Sequence, residues 1–425
     1  VRGNNPFTFP FGVYPKEANN PISILKMLRD GVWNYPTRQV NNAAVVNPIE
    51  LLDLAIVNVG EYQKKAYNFI IESLSKKYPI LKDPTKGLSY TALESPLQAL
   101  NMVYPHNEMD MEDRDDDIHL YMYGKKGLSR SMFYNEQTKS EFRYKDVTLQ
   151  NFGRIFSPSE IGKYSGKIAH ICNSIKSSKG IIFVYSQYID GGGVPVALAL
   201  EEMGITKFGG RSLFKTPPVK PIDAITMSSD NVTNPAKYIM ITGDSVLSPN
   251  NKNELKEITH NNTNGEKIKV VIISKAGSEG LDFKNIRQIH ILEPWYNINR
   301  IDQIIGRGVR NLSHCELPYT KRNVEIFLYG TRLIKPENID KEAIDMYMYR
   351  YSENKAKNIG IVSRTLKKNA MDCLLTRYQQ NANNSAIKKL TIKNKVNQIL
   401  SSNGLEIKYE LGNKNNSFNC DFMVC

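Results

Sequence analysis

Lys269-Val270-Val271-Ile272-Ile273-Ser274-Lys275-Ala276-Gly277-Ser278-Glu279-Gly280-Leu281-Asp282-Phe283 is the stretch that decides the fold. A continuous apolar run gives way to a loop of small and polar residues, which is how a buried strand ends at a ligand-binding turn in an α/β sheet. Four more runs have the same character: Gly180–Ser186, Tyr238–Thr242, Gln288–Leu292 and Val324–Tyr329. Helical patterns separate them, at Ile168–Lys179 and at Val194–Met203, the latter ending at Gly204. Continuous apolar strands alternating with helices imply a mostly parallel sheet covered on both faces. Residues 153–332 therefore read as one α/β domain.

Residues 1–152 read as an extended connector with helical pieces, one near Ile22–Arg29. A longer helix is expected from Pro48 to Lys77, where Leu51, Leu52, Leu54, Ala55 and Val59 fall on roughly helical spacing. His106–Asp117 is dense in carboxylates and reads as a solvated loop. Residues 333–425 read as a basic helical extension, with Ile339–Asn369 its strongest helical stretch. From Tyr351 onward there are 12 Lys or Arg against 5 Asp or Glu, more than half of the chain's net +13. Such a balance suits a polyanionic partner, because clustered cations displace counterions from phosphate.

No run of about 18 apolar residues appears, so no membrane-spanning helix is expected. The start at Val1, without Met or a signal-like apolar stretch, suggests a piece of something longer. Five scattered cysteines do not make a disulfide framework in a chain of 425 residues, which fits a reducing compartment. Cys420 and Cys425 form a C-x4-C pair that is at most half of a zinc site, and no metal ligand is assigned.

The loop after the first run has the means to hold phosphate. Small residues let backbone amides approach, and Ser274 and Lys275 can donate. Asp282 can accept from a ribose hydroxyl or orient a neighbouring arginine. Seventeen residues after Phe283 comes Arg300-Ile301-Asp302-Gln303-Ile304-Ile305-Gly306-Arg307-Gly308-Val309-Arg310. On a helix, Gln303, Arg307 and Arg310 share a face at i, i+4 and i+7. Two guanidiniums aimed the same way need an anion, and a terminal phosphate meets that need bidentately. Gly306 and Gly308 cost about 1 kcal/mol each inside a helix, so a close approach must require them.

Gln303-x-x-Gly306-Arg307-x-x-Arg310 resembles motif VI of superfamily 2 helicases, Gly280-Leu281-Asp282 resembles motif V, and Ile182–Tyr188 resembles motif IV. The resemblance narrows to helicase-like ATPases of large DNA viruses, the group of the poxvirus early-transcription-factor small subunit and nucleoside triphosphatase I. It is carried by Arg2–Pro10, His290–Asn297, Asn311–Pro318 and Ala370–Cys373.

The resemblance implies a RecA-like second helicase lobe that moves on nucleic acid with ATP during viral transcription, in the cytoplasm, virion or viral factory. Arg307, Arg310 and Gln303 would serve the terminal phosphates, with Gly280 and Asp282 beside the nucleotide. Ser186, Thr242, Ser274 and Lys275 would line the backbone of DNA or RNA without reading sequence.

No G-x-x-x-x-G-K-[ST] loop exists; Gly162–Ile168 is a residue short and ends in Ile, and Gly124–Gly127 fits no better. The phosphate loop and the Mg2+ ligands are expected on a first lobe, supplied in the same chain or by another. A viral RNA polymerase is a further partner that the resemblance implies, and this chain alone is expected not to hydrolyse ATP. Two alternatives stay open: a docking module for nucleic acid or polymerase, and a duplex translocase lobe like that of chromatin remodellers.

Overall fold

The computed structural model describes residues 54–78, 81, 90–111, 113, 115–210, 212–248, 251–275, 281–310, 312–333, 343–369, 395–410 and 420–423. The expected connector helix near Ile22–Arg29 and the resemblance stretches at Arg2–Pro10 and Ala370–Cys373 lie outside them.

In chain order the elements are β1 (Ala55–Asn58), α1 (Glu61–Lys77), α2 (Tyr90–Asn101), α3 (Gly124–Ser131), β2 (Met132–Asn135), β3 (Ser140–Tyr144), α4 (Asp146–Phe152), α5 (Ile161–Tyr164), α6 (Gly166–Ser177), β4 (Ile181–Tyr185) and α7 (Val194–Glu202). There follow β5 (Thr206–Lys207), β6 (Lys237–Ile241), α8 (Asn251–Thr259), β7 (Val270–Ile273), β8 (Ile286–Ile291), α9 (Ile298–Gly308), β9 (Glu325–Arg332), α10 (Ile344–Asn369), β10 (Lys395–Ile399) and β11 (Glu406–Glu410).

The main sheet has the order β1-β9-β8-β4-β7-β6-β5, and every neighbouring pair runs parallel. All five expected strands are in it. Side chains alternate between two cores, as a period of two requires. Ile182, Val184, Val270 and Ile272 face α1, α2, α6 and α7, while Ile181, Phe183, Val271 and Ile273 face α8 and α9. Central strands are buried on both sides, which explains why β4 and β7 read as unbroken apolar runs, while β8 is equally buried yet carries Arg287, Gln288 and His290. Helix α7 is buried along its length, apolar on every side from Val194 to Leu200 and ending in the buried Glu201 and Glu202.

Two expectations fail. Pro48–Lys77 is not one helix: Ala55–Asn58 is an edge strand in register with Tyr329–Arg332, and the helix starts only at Glu61. Ile56 and Val57 are β-branched and Gly60 interrupts, so the alternation of buried Ala55 and Val57 outweighs the helical spacing. The C-terminal extension is not wholly helical either. After α10, residues 395–410 form an antiparallel hairpin with Val396 opposite Tyr409 and Ile399 opposite Glu406. Its Asn403-Gly404 turn, with Gly404 at φ 69°, is the signal the helical reading passed over.

The region before the α/β unit is docked by charge and hydrogen bonds. The buried Glu202 of α7 takes Arg154 and the hydroxyl of Tyr144, and Lys139 at the β2–β3 turn reaches Asp190 at 3.1 Å and Asp244 at 3.0 Å. In the acidic stretch 106–117, Asp110 and Asp116 make exposed pairs with Lys65 and Lys76 of α1.

The loop that imitates a phosphate loop is no such thing. Gly162–Ile168 runs through α5 into α6, with the Ser165 hydroxyl capping the amide of Ile168 at 3.0 Å. Lys167 is fully buried, pairs with the equally buried Asp345 of α10 at 2.9 Å, and donates to the carbonyl of Leu292 at 2.7 Å. Asp345 also accepts from Thr331 Oγ1 at 2.6 Å.

Lys167→Met leaves that carboxylate unpaired in the interior and is expected to cost about 3–5 kcal/mol in urea unfolding. The double change Lys167→Met/Asp345→Leu should recover most of the loss. A single variant within about 1 kcal/mol of the parent would show that the pair does not hold the fold.

Candidate functional site

Helix α9 is built to lie on the sheet. Ile298, Ile301, Ile304 and Ile305 are buried against it. At its end a Cβ on Gly308 would stand 3.1 Å from Ile289 Cδ1 and 3.3 Å from Ile286 Cβ. That is the close approach for which a glycine is needed. Gln303 is exposed and Arg307 half-buried on the polar side.

Arg310, however, does not continue that face. The helix ends at Gly308, and Arg310 turns back so that its Nε donates to the Gly306 carbonyl at 3.0 Å. Its Nη2 pairs with Asp282 at 2.9 Å. Arg307 Nη1 donates to Leu281 O at 3.4 Å, and the Phe283 amide donates to Arg307 O at 3.0 Å. Residues 281–283 are thereby clipped to the end of α9 from both sides, and Phe283 is anchored edge-on to Phe183, with ring centroids 5.6 Å apart. The Asp282–Arg310 pair and the Arg307–Leu281 contact thus lie side by side at one partly exposed place. Gly280 lies outside the described residues.

Two residues that position Arg310 escape a sequence reading. The Ser313 hydroxyl accepts from the Arg310 amide at 3.2 Å and donates to its carbonyl at 2.8 Å. His314, fully buried, contacts that hydroxyl through Nδ1 at 2.7 Å and Ile286 O through Nε2 at 2.6 Å. Burial pushes the His314 imidazole down to about 4.

The expected nucleic-acid residues Ser186, Thr242 and Ser274 end the adjacent strands β4, β6 and β7, but all three are buried, at 1%, 5% and 4% exposure. Ser186 donates to the buried Glu293, and Thr242 Oγ1 accepts from the Asp244 amide at 3.2 Å and contacts Ser248 at 3.1 Å. These two close strand ends and offer no open surface. The Ser274 hydroxyl finds no hydrogen-bond partner among the described residues. Glu293 also takes Asn101 and the Gln187 amide; burial pushes its carboxyl upward while those donors oppose the shift.

Lys275 is exposed, with its ammonium 5.4 Å from the Trp295 ring centroid; the Arg300 guanidinium stands 5.2 Å from the same ring. Trp295, Arg300, Gln303 and Lys355 of α10 line a cavity of about 390 Å³ between α9 and α10. Gln303 thus faces this cavity, and the sequence signal for Arg300 was its place one turn before Gln303. Lys355 had no such signal, since only the packing of α10 brings it here. At the chain's other end, Cys420 is disulfide-bonded and so is not a free zinc-binding thiolate, while Cys425 lies outside the described residues.

Residues 166–311 match the helicase conserved C-terminal domain, a span that contains every residue of this site from Ser186 to Arg310. A protein of Acanthamoeba polyphaga mimivirus assigned as an ATP-dependent RNA helicase is 41% identical over 120 residues, covering 27% of this chain and 14% of its own length. A protein of Invertebrate iridescent virus 3 assigned as a helicase is 28% identical over 298 residues, 64% of this chain and 29% of its own. A termination factor NPH-I homolog of African swine fever virus is 32% identical over 182 residues, 39% of this chain and 26% of its own. The chain spans well under half the length of these three relatives.

The depressed His314 imidazole sets a pH dependence. Between the unfolded value near 6.5 and the folded value near 4, the unfolded chain binds a proton that the folded chain does not, so stability falls as pH falls through that window. The slope from this one group is about 1.4 kcal/mol per pH unit at most. Urea midpoints at pH 7 and 5 should differ less in His314→Gln than in the parent; equal differences would mean that His314 charges freely in the fold.

Proposed function

We propose that this chain supplies the second lobe of an ATP-driven motor on nucleic acid, because residues 166–311 match the helicase conserved C-terminal domain and similar proteins of large DNA viruses are assigned as helicases or as a termination factor. The observation that carries the reading is the Asp282–Arg310 pair clipped beside Arg307. Two neighbouring guanidiniums on a partly exposed surface offer planar, bidentate donor sets for phosphate.

ATP is the substrate, and its phosphates are cradled by a first lobe, since this chain has no phosphate loop. Closure brings Arg307 and Arg310 to the terminal phosphate, where they stabilise charge on the oxygens of the transferring group. Asp282 holds Arg310 beside the loop until the phosphate competes for it. Mg2+, held in such sites by one or two carboxylates, waters and the nucleotide's phosphates, is assigned to the first lobe that cradles those phosphates.

Nucleic acid runs over the face marked by Trp295. Lys275, Arg300 and Lys355 supply backbone phosphate contacts, and the Trp295 ring offers a stacking surface to a base or sugar. Ser274, buried at the adjoining strand end with a hydroxyl that has no hydrogen-bond partner among the described residues, joins them on closure. The termination-factor name of the African swine fever virus relative makes viral transcription the proposed setting, with a viral RNA polymerase as partner.

In a protein containing both lobes, Arg307→Ala and Arg310→Ala are each expected to lower nucleic-acid-stimulated kcat by about 10³-fold or more. Nucleic-acid affinity should change little in either. Trp295→Ala is expected to do the reverse, weakening binding by 1–3 kcal/mol, about 5- to 150-fold. Turnover that survives both arginine changes would leave only a docking module.

A further inference from the structure

A second cavity, of about 560 Å³, lies where the N-terminal ends of β4 and β7 meet the β10–β11 turn. It shares no lining residue with the cavity beside α9 or with the arginine cluster. Four cations line it: Lys179, Lys269, Arg287 and Lys321. Two of them are removed from water, Lys269 at 1% and Arg287 at 3% exposure.

Buried charges in folded proteins are paired, because an isolated one costs several kcal/mol. Here the pairing is missing. Lys269 donates to the carbonyl of Ser178 at 3.1 Å, and Arg287 to Asn323 O at 3.0 Å, Asn323 Oδ1 at 3.1 Å and Ile399 O at 2.8 Å, all uncharged oxygens. Among the described residues none of the four cations forms an ion pair.

The carboxylates that bear on them electrostatically are engaged elsewhere. Glu266 accepts from Asn264 N and Nδ2 at 3.0 and 2.8 Å. Glu325 accepts from Ser402 N and Oγ at 3.1 and 3.0 Å. In keeping with burial without compensation, Lys269 is pushed down to about 8 and Arg287 to about 10. The rest of the lining sets the apolar Ile225, Leu317, Ile399 and Leu400 beside Thr263, Asn264 and Glu266, whose carboxylate is held by Asn264.

We propose that this cavity binds a small organic phosphate, its anionic group between Lys269, Lys179 and Lys321 and its apolar body against Leu317 and Leu400. The unpaired buried cations call for an anion, the apolar wall for more than inorganic phosphate, and the volume is that of a small-molecule site. Because Ile399, Leu400 and Gly404 belong to the hairpin segment, the ligand would also bind that hairpin to the sheet.

Calorimetric titration of the 425-residue chain with phenyl phosphate, at constant chloride, tests this. Saturable one-to-one binding is expected, about tenfold tighter than for inorganic phosphate. Loss of about tenfold or more is expected in Lys269→Met and in the rim variant Lys179→Ala/Lys321→Ala, whose exposed positions leave the core intact. Arg307→Ala/Arg310→Ala should bind phenyl phosphate as the parent does, which separates this site from the proposed motor site. Absence of saturable binding, binding lost only in the arginine variant, or displacement of phenyl phosphate by a single-stranded oligonucleotide would overturn the proposal.

Discussion

The fully buried ion pair between Lys167 and Asp345 is the joint on which the C-terminal edge of the sheet depends. It connects the first turn of α6 to the first turn of α10, with Leu292 O at the end of β8 and Thr331 near the end of β9 as further partners. An ion pair withdrawn from water contributes little net stability, but its geometry admits only one arrangement of the four elements, since any other leaves a charge unpaired. Beside it lies Glu293, which collects Ser186, Gln187 and Asn101. The chain leaves this layer directly into the half-buried Trp295, so its ring is set by a buried polar frame two residues behind it.

Helix α9 turns that frame into chemistry at two ends. Its N-terminal half, with Arg300 and Gln303, opens on the cavity shared with α10. Its C-terminal end is pressed onto β8 at Gly308, and the turn that follows is fixed by Ser313 and His314 so that Arg310 returns to Asp282. One helix thus joins the proposed nucleic-acid face to the proposed phosphate-binding cluster.

Much of this was legible in the residues. The buried strands declared themselves because burial on both faces favours apolar residues at successive positions, most completely in β4 and β7. Strand β1 did not, since an edge strand buries only half of its residues and its four positions also suit helical spacing. The cluster of Asp282, Arg307 and Arg310 was foreseen as a group, yet Arg310 was placed on a helix that Gly308 ends. Ser186 and Thr242 were placed rightly at strand ends and wrongly toward an open path, because burial of a short hydroxyl leaves no mark in the sequence. The basic cavity could not be foreseen at all, for it assembles residues from 179 to 404 that only the docked hairpin brings together.

The central claim is that this chain is one half of a motor whose phosphate loop resides on another lobe. It is tested most directly by measuring ATP hydrolysis, with and without single-stranded DNA or RNA, by the 425-residue chain alone and by a protein in which a first lobe precedes it. The account predicts no turnover by the chain alone and nucleic-acid-stimulated turnover by the two-lobe protein. Hydrolysis by the chain alone, or none by the two-lobe protein while it still binds nucleic acid, would contradict it.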